Sequence, residues 1–426
     1  MIIRPLFAGL IFVATLLLVV IRPKRVSEGL STAAAASLMV VTFIVPLPAA
    51  LFSLLAQWNV FLFFFGMMLI AAIADLAGFF DWAGTLAAAA SRGSGRLLLL
   101  NVFLVGTLIS TFLSNDATAL ILTPVVYTIV TRLGLPVLPY LFATTFIADT
   151  ASMTLPISNP INILMIDRVK PSLDAYASHL LLASLLVIVI NIAVFAFVFR
   201  RTTSRRFQFD WQAALKEAVP DPRFFRSTGI GLAVIAGLYI TASAERWPLG
   251  LVATAGGLGL ALIARLYGRL AMQRVRQHVS GSLFLFLAGL FILVRGVEDA
   301  GLTAALVGGL AQLVHGPVSA IVVGIVGSAV GANLINNVPM MLVVLSGLPG
   351  THLAAGAQQP FVFGSMVGAD LGPNLTPVGS LSTMLWLLIV RRRGIDISTL
   401  DYLRLGALVT PGMLIVAAIT LALTFR

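Results

Sequence analysis

The sequence contains no cysteine and little charge. Cysteine is absent from the 426 residues, and charged residues make up 10% of them, whereas soluble domains carry roughly a quarter. The lack of cysteine excludes disulfides and thiolate metal sites. Four histidines are scattered through loops without the spacing of ligands, so we expect neither a metal nor another cofactor. Hydrophobic residues reach 59% and form repeated runs of about twenty residues, which indicates a polytopic membrane protein.

The net charge of +11 is carried by short segments between the apolar runs. These basic segments are 22–25, 91–96, 200–206, 265–276 and 391–394. Loops rich in Lys and Arg lie on the cytoplasmic side of a membrane protein. No basic face with interleaved aromatic residues is visible, so binding of nucleic acid is not expected.

Ten apolar runs are long enough to cross the lipid bilayer, and two of them are interrupted. They are residues 5–21, 30–46, 59–75, 137–166 (broken), 178–199, 227–243, 249–266, 281–297, 358–391 (broken) and 403–424. Two further apolar segments, 97–131 and 316–348, carry a polar cluster in the middle, and we interpret each as a re-entrant hairpin. With the N-terminus outside, every basic loop becomes cytoplasmic and both termini lie outside.

The two halves of the sequence share landmarks at equal spacing. Gly66 precedes Asp75 by nine residues, and Gly289 precedes Glu298 by nine. Asp116 and Asn337 each stand 33 residues before another aspartate, Asp149 or Asp370. We therefore predict a first repeat over 1–200, a basic cytoplasmic linker over 201–226 and a second repeat over 227–426. Five crossings per repeat invert the second relative to the first. Asp75 and Glu298 are expected to be interfacial anchors or, for Glu298, a partner of Arg295.

Prolines and glycines interrupt the helical pattern once in each half. The interruptions contain Pro156, Pro160, Pro373 and Pro377, which remove backbone donors, and Gly372 and Gly379, which permit unusual backbone angles. Irregular backbone at membrane depth occurs only where it is buried in protein or lines a cavity. The sequence thus predicts a broken helix and a cavity at each interruption.

Three aspartates lie in these apolar surroundings. Asp116 is at the predicted hairpin tip, and Asp149 and Asp370 begin the two interruptions. An intramembrane carboxylate is a functional-site hypothesis by default. Removal from water favours the protonated acid, so each of the three could take up and release a proton. Asp116 could instead serve only as a helix cap.

Four motifs resemble the ArsB family of arsenite and antimonite efflux proteins within the ion transporter superfamily. They are LSNDATALILTP at 113–124, FIADTASMTLPISNPINIL at 146–164, NNVPMMLV at 336–343 and GADLGPNLTPVGSLSTMLWL at 368–387. The resemblance implies an all-α fold of two inverted repeats and export of arsenite or antimonite in exchange for protons. It also implies a transporter rather than an enzyme, located in a prokaryotic plasma membrane. A separate ATPase would bind its cytoplasmic face in some members, and a homodimer is left open.

Arsenite near neutral pH is an uncharged trihydroxide, so its site needs hydrogen-bonding groups and no counter-charge. The polar residues of the hairpins and interruptions suit this task. We predict that the substrate is bound among Asn115, Thr118, Thr150, Ser152, Ser158, Asn159, Asn336, Asn337, Asn374, Thr376 and Ser380. The lack of cysteine is consistent with turnover, because thiolates would hold arsenic too tightly.

Three other functions are compatible with parts of the pattern. A sodium/proton antiporter would use Asp116, Asp149 and Asp370 as oxygen ligands. A dicarboxylate carrier would need fixed positive charge or paired sodium sites near the hairpins. An intramembrane enzyme is disfavoured, because no catalytic cluster of His, Cys or metal ligands is visible and Ser114 has no base beside it other than a carboxylate.

Overall fold

The computed structural model describes residues 3–21 and 27–425. Within these ranges the chain is helical, and the one strand-like feature is an isolated bridge between Ser94 and Arg206. Eight helices of the described part are long and apolar enough to cross a membrane. The predicted all-α membrane protein is confirmed, whereas the predicted number of ten crossings stays a prediction. The basic segment 22–25, predicted to be cytoplasmic, lies outside the described residues.

The helices of the first half vary widely in length. They are α1 (Ile3–Ile21), α2 (Glu28–Val41), α3 (Leu47–Ala56), α4 (Trp58–Leu76), α5 (Phe79–Ala90), α6 (Gly95–Phe112), α7 (Asn115–Ala117), α8 (Thr123–Arg132), α9 (Leu138–Thr150), α10 (Pro160–Val169) and α11 (Leu173–Val198). A π-helical turn, Thr118–Leu122, connects α7 to α8, and a 3₁₀ turn, Ala151–Met153, follows α9.

The second half follows a short helix in the linker. Its helices are α12 (Trp211–Ala218), α13 (Pro222–Ala244), α14 (Leu249–Leu266), α15 (Met272–His278), α16 (Gly281–Asp299), α17 (Leu302–Ala311), α18 (Pro317–Ile335), α19 (Asn337–Gly347), α20 (Ala355–Leu371), α21 (Leu381–Arg392) and α22 (Thr399–Thr424). The 3₁₀ turns Leu348–Gly350 and Gly372–Leu375 follow α19 and α20.

Two glycines allow close packing of helices from opposite halves. Helix α4 packs on α14, and α2 packs on α16. A Cβ at Gly66 would overlap the backbone of Ala253, and a Cβ at Gly289 would come within 2.5 Å of the backbone of Thr32. Small residues allow such close approach between membrane helices, where packing replaces the hydrophobic effect. The glycines of the sequence repeat therefore serve the same purpose in both halves.

Both predicted interruptions are breaks in the helices of the structure. Helix α9 ends at Thr150 and α10 begins at Pro160, while α20 ends at Leu371 and α21 begins at Leu381. Each break starts with a 3₁₀ turn, and Pro160 occupies the first position of α10, where its missing N–H costs nothing. Helices α6 and α18, the first arms of the predicted hairpins, are each long enough to cross a membrane alone.

The second hairpin turns at a residue with an unusual backbone conformation. Asn336 has a φ of 74° and a ψ of 155°, a strained backbone conformation that residues other than glycine rarely adopt. Its side-chain oxygen accepts a hydrogen bond from the Val338 N–H at 3.4 Å and so caps α19. In the first hairpin, Ser114 caps α7 by accepting from the Ala117 N–H at 3.1 Å. Local capping chemistry thus sets where each hairpin turns.

Candidate functional site

Each broken helix is capped by a residue that also binds the aspartate of the other half. Asn159 caps α10 by accepting from the Ile161 N–H, and its amide donates to Asp370 at 2.6 Å. Ser380 caps α21 by accepting from the Thr383 N–H, and its hydroxyl donates to Asp149 at 2.8 Å. Each cap follows its own half's aspartate by ten residues. The two halves are therefore joined by a reciprocal pair of contacts, which we call the crossed aspartate site.

Asp149 is fully buried and accepts four hydrogen bonds. Ser382 and Asn115 donate to its Oδ1 at 2.6 and 3.3 Å. Ser380 and Thr383 donate to its Oδ2 at 2.8 and 2.9 Å. Donors on both oxygens are the arrangement that a buried ionised carboxylate requires, because an unpaired charge away from water is very costly.

Asp370 is also fully buried but is bonded on one oxygen only. Ser152 and Asn159 both donate to its Oδ1 at 2.6 Å. Its Oδ2 is buried and has no hydrogen-bond partner. Buried polar atoms in native structures nearly always have partners. This oxygen is therefore the point of the site that can hold a proton or accept a hydrogen bond from a bound molecule.

Each hairpin tip is joined to the helix break of its own half by a backbone hydrogen bond, and the two bonds are equivalent. The Asn115 N–H donates to the Ser158 carbonyl at 3.1 Å, and the Asn337 N–H donates to the Gly379 carbonyl at 2.9 Å. Asn115 and Asn337 are also the first residues of α7 and α19. The spacing that matched Asp116 with Asn337 is thus one residue out of register, because Asn115 is the true counterpart. Asp116 then corresponds to Val338.

Thr150 connects three parts of the chain at the end of α9. It accepts hydrogen bonds from the Asn191 amide at 2.7 Å and from the Asn374 amide at 3.3 Å, and it donates to the Phe146 carbonyl. Asn191 lies on α11, and its participation was not predicted. A lone asparagine in the middle of a 26-residue apolar helix was the signal that could have found it.

Ser382 and Thr383 were also missed as site residues. Both follow Ser380 inside a motif that had already been singled out, and both donate to Asp149. The first turn of a helix directs its small polar side chains toward the same end as its cap. The sequence did not show that α21 begins at Leu381, and without this start the positions of Ser382 and Thr383 in the first turn could not be predicted.

Several predicted site residues support the hairpins and breaks instead of joining the aspartate network. Thr118 donates to the Ser114 carbonyl, and Ser158 donates to the Thr111 carbonyl. Thr376 donates to the side-chain oxygen of Asn333 at 2.7 Å. These contacts hold the irregular backbone in place, so these residues position the site.

Asp116 lies next to the crossed aspartate site and contacts it through its backbone. Its backbone N–H donates to the Asn115 side-chain oxygen at 3.0 Å, and the Asn115 amide donates to Asp149 at 3.3 Å. The residue lines a separate cavity of about 40 Å³ beside Phe63, Phe64 and Met67 of α4. Of the three predicted acids, the structure therefore links Asp149 and Asp370 through Ser152, whose hydroxyl lies 2.8 Å from the Asp149 carbonyl oxygen and 2.6 Å from Asp370 Oδ1, and Asp116 lines a cavity of its own.

The described residues contain no group of three or more His, Asp or Glu side chains that could hold a metal ion. The buried polar atoms near the aspartates are instead hydroxyls and amides. Among the amides, the side-chain oxygens of Asn337 and Asn374 are buried without a partner. The arrangement can therefore exchange hydrogen bonds with a small polar molecule and can bind or release protons at a carboxylate.

Replacing Ser380 with alanine is expected to lower the free energy of unfolding by about 1 kcal/mol through loss of the cap on α21. Loss of a buried donor to Asp149 is expected to add about 1 kcal/mol or more. Thermal unfolding in detergent measures the change. Ser172→Ala, which removes the cap of α11 alone, is the control. Equal midpoints for the two variants would contradict the contribution of the Asp149 contact.

Comparisons with known proteins cover almost the whole chain. The sequence model of the ArsB family, described as arsenical pump membrane protein, matches residues 7–425. The arsenical pump membrane protein of Escherichia coli strain K12 is 31% identical over 427 residues, which cover 99% of both chains. That of Yersinia enterocolitica is 30% identical over 423 residues and 98% of both chains.

Solved transporter structures share the fold at low sequence identity. The YdaH transporter of Alcanivorax borkumensis superimposes with a TM-score of 0.53 at 16% identity, covering 85% of this chain and 84% of that one. MtrF of Neisseria gonorrhoeae gives 0.51 at 11% identity, covering 85% and 80%. The family match over nearly every residue confirms the resemblance carried by the four motifs. The chain belongs to the ArsB family of arsenical pump membrane proteins.

Proposed function

We propose that this protein is a secondary transporter that exports arsenite and antimonite from the cytoplasm in exchange for protons. The observation that carries the proposal is the crossed aspartate site, in which Asp149 and Asp370 are each bonded by a helix cap of the opposite half. A change in the protonation of either acid alters a contact between the halves. Substrate binding and movement of one half past the other are thereby coupled to a proton.

The chemistry of the site suits a neutral trihydroxide. Each As–OH group can donate to an unpartnered oxygen and accept from a hydroxyl or amide. The buried oxygens that await a donor are Asp370 Oδ2, Asn337 Oδ1 and Asn374 Oδ1. The Ser152 hydroxyl and the Asn159 amide now donate to Asp370 Oδ1, and an As–OH oxygen bound there would accept from them in its place. Such contacts give specificity without the tight covalent hold of a thiolate.

We infer that the two halves, residues 1–200 and 227–426, are inverted repeats joined by the linker 201–226. Three kinds of equivalent contact support this: the caps on opposite aspartates, the bonds from the hairpin tips, and the glycines on neighbouring helices. Inverted repeats with broken helices at their interface are the usual architecture for alternating access. Substrate would be exposed first to one side of the membrane and then to the other.

The membrane potential is sufficient to drive this exchange. One incoming proton per neutral substrate moves one positive charge inward, which releases about 2.3 kcal/mol per 100 mV. At roughly 150 mV the yield is about 3.5 kcal/mol. Because about 1.4 kcal/mol corresponds to tenfold, this sustains a gradient of a few hundred-fold. A single proton is therefore enough for resistance.

We assign the protein to the bacterial inner membrane, with its basic loops in the cytoplasm and both termini outside. An ATPase subunit on the cytoplasmic loops and a homodimer stay predictions. The runner-up function is sodium/proton antiport. It is favoured by the unpartnered oxygens of Asp370, Asn337 and Asn374, since oxygen acceptors without donors also suit a hard cation.

Uptake into inverted membrane vesicles separates the two functions. A pH gradient, acid inside, is expected to drive arsenite uptake in the absence of sodium, because the lumen of such a vesicle corresponds to the cell exterior. An imposed sodium gradient is expected to have no effect. Uptake of sodium in response to pH without any uptake of arsenite would replace the proposed function by sodium/proton antiport.

A further inference from the structure

A large cavity opens on the face that carries the basic loops. Its volume is about 420 Å³, and we call it the basic-face vestibule. Carboxylates and one histidine line it, contributed by α4, α5, the linker helix α12 and α15: Asp75, Asp81, Glu217 and His278. Arg132, the last residue of α8, and Arg393, from the basic segment 391–394 predicted to be cytoplasmic, also line it. The vestibule is therefore the opening toward the cytoplasm in the proposed orientation.

The vestibule adjoins the smaller cavity that contains Asp116. Leu120, Ile121 and His278 line both. The smaller cavity, of about 40 Å³, has room for a water molecule, whose share of liquid volume is about 30 Å³. His278 is the titratable residue common to both cavities, so it lies between the half-buried Asp116 of the first hairpin and the opening.

The hydrogen bonds of His278 leave one ring nitrogen available for proton transfer. Its Nδ1 lies 2.9 Å from the Arg274 carbonyl oxygen. Because a carbonyl oxygen only accepts, Nδ1 carries a hydrogen and donates it. The Nε2 atom lies 3.5 Å from Asp75 Oδ2. It can therefore gain and lose a proton beside a carboxylate that stabilises the imidazolium.

Other charged groups around this pair come from each neighbouring element. They are Asp81 on α5, Arg132 on α8, Glu217 on α12, Arg274 on α15 and Arg393 after α21. Arg132 and Glu217 lie 3.5 Å apart and partly neutralise each other. Among the described residues that line this cavity, His278 is the one imidazole, and it lies 3.5 Å from Asp75.

We propose that His278 and Asp75 form a proton relay between Asp116 and the basic-face vestibule. The inference rests on the proposed proton exchange and names its cytoplasmic outlet. The O–H bond of protonated Asp116 breaks, its proton passes directly or through one water to Nε2 of His278, and an N–H bond forms. Asp116 is left as carboxylate and His278 as imidazolium beside Asp75. The imidazolium then releases the proton to water in the vestibule and returns to its neutral form.

Two cavities on the opposite face, of about 470 and 320 Å³, have no histidine among the described residues that line them. Asp167 lines both, and Arg295 and Glu298 line the smaller one. Arg295 is held by Asp299 at 2.8 Å and by Glu298 at 4.0 Å. The hairpin position equivalent to Asp116 is Val338. The relay is therefore built at one face, from Asp75 and Asp116 of the first half and His278 of the second.

The test uses His278→Ala in inverted vesicles, where the cytoplasmic face is outward. Uptake of arsenite driven by a pH gradient is expected to slow by about tenfold or more, the scale of losing a positioned acid–base group. Arsenite–arsenite counterflow, which needs no net proton release, is expected to keep its rate. Millimolar imidazole in the medium is expected to restore the slowed uptake, because the vestibule is open to that side. Asp75→Asn is expected to slow this uptake less than His278→Ala does.

His315→Ala is the matched control, because His315 is exposed and lines neither cavity. Its uptake is expected to equal that of wild type with or without imidazole. A His278→Ala protein that matches wild type, or whose slowed uptake does not respond to imidazole, overturns the relay alone. Wild-type vesicles that show no uptake driven by pH overturn the proposed exchange itself.

Discussion

The substitution Asp149→Asn is expected to lower the rate of arsenite uptake driven by a pH gradient by a factor on the order of 10² or more. The amide cannot exchange a proton, so the step that couples protonation to the contact between the halves is lost. In the wild-type protein four donors surround the Asp149 carboxylate, two on each oxygen. In the variant, two of these donors would face the NH₂ group of the new asparagine. Three of the donors are hydroxyls, which can rotate away, so the fold is expected to survive.

Uptake into inverted vesicles and thermal unfolding in detergent, measured on the same preparation, test this expectation. The loss of hydrogen bonds at Asp149 should cost about 1–3 kcal/mol of stability, which leaves a folded population. Asp174→Asn provides the control, since Asp174 is an exposed carboxylate in the first turn of α11. An Asp149→Asn protein that still exchanges protons for arsenite would remove Asp149 from the coupling mechanism.

Gly66→Ala is expected to destabilise the protein by about 3 kcal/mol, the upper range for overpacking. A Cβ at this position would overlap the backbone of Ala253 and Thr254 on α14. Backbone atoms cannot rotate away as a side chain does, so α4 and α14 must move apart. The shift would also disturb the α4 residues that line the Asp116 cavity, Phe63 and Met67.

Thermal unfolding of purified Gly66→Ala in detergent measures this effect as a lower midpoint. Gly259→Ala is the matched control, because Gly259 lies on α14 and a Cβ there would meet no atom within 4 Å. That variant is expected to be tolerated or slightly stabilised, since alanine favours helix by about 1 kcal/mol over glycine. Equal loss of stability in both variants would contradict the close-packing argument, because a Cβ at Gly259 meets no neighbouring atom.

Local features of the sequence were sufficient for the class of protein and for the positions of its irregular segments. Composition predicted an all-helical membrane protein, and the four motifs predicted the family, both of which are confirmed. The breaks after α9 and α20 occur where proline and glycine interrupt the apolar pattern. These properties depend on neighbouring residues, because hydropathy and backbone restrictions act over a few positions.

The partners of the aspartates depended on the tertiary structure. Asn159 and Asp370 are separated by 211 residues and Asp149 and Ser382 by 233, so their contact follows from how the halves pack. The correspondence between Asn115 and Asn337 follows from their backbone hydrogen bonds to Ser158 and Gly379. Residue spacing in the sequence does not reveal such bonds.

The sequence by itself determined that the chain lies in a membrane, where its helices break and which acids are placed among apolar residues. Only the tertiary structure decided that Asp149 and Asp370 each accept a hydrogen bond from the helix cap of the opposite half. It also decided that Asp116 lines a cavity together with His278. The physical reason is that burial and helix breaking act locally. A hydrogen bond between distant residues exists only after packing has brought a donor within about 3 Å of its acceptor.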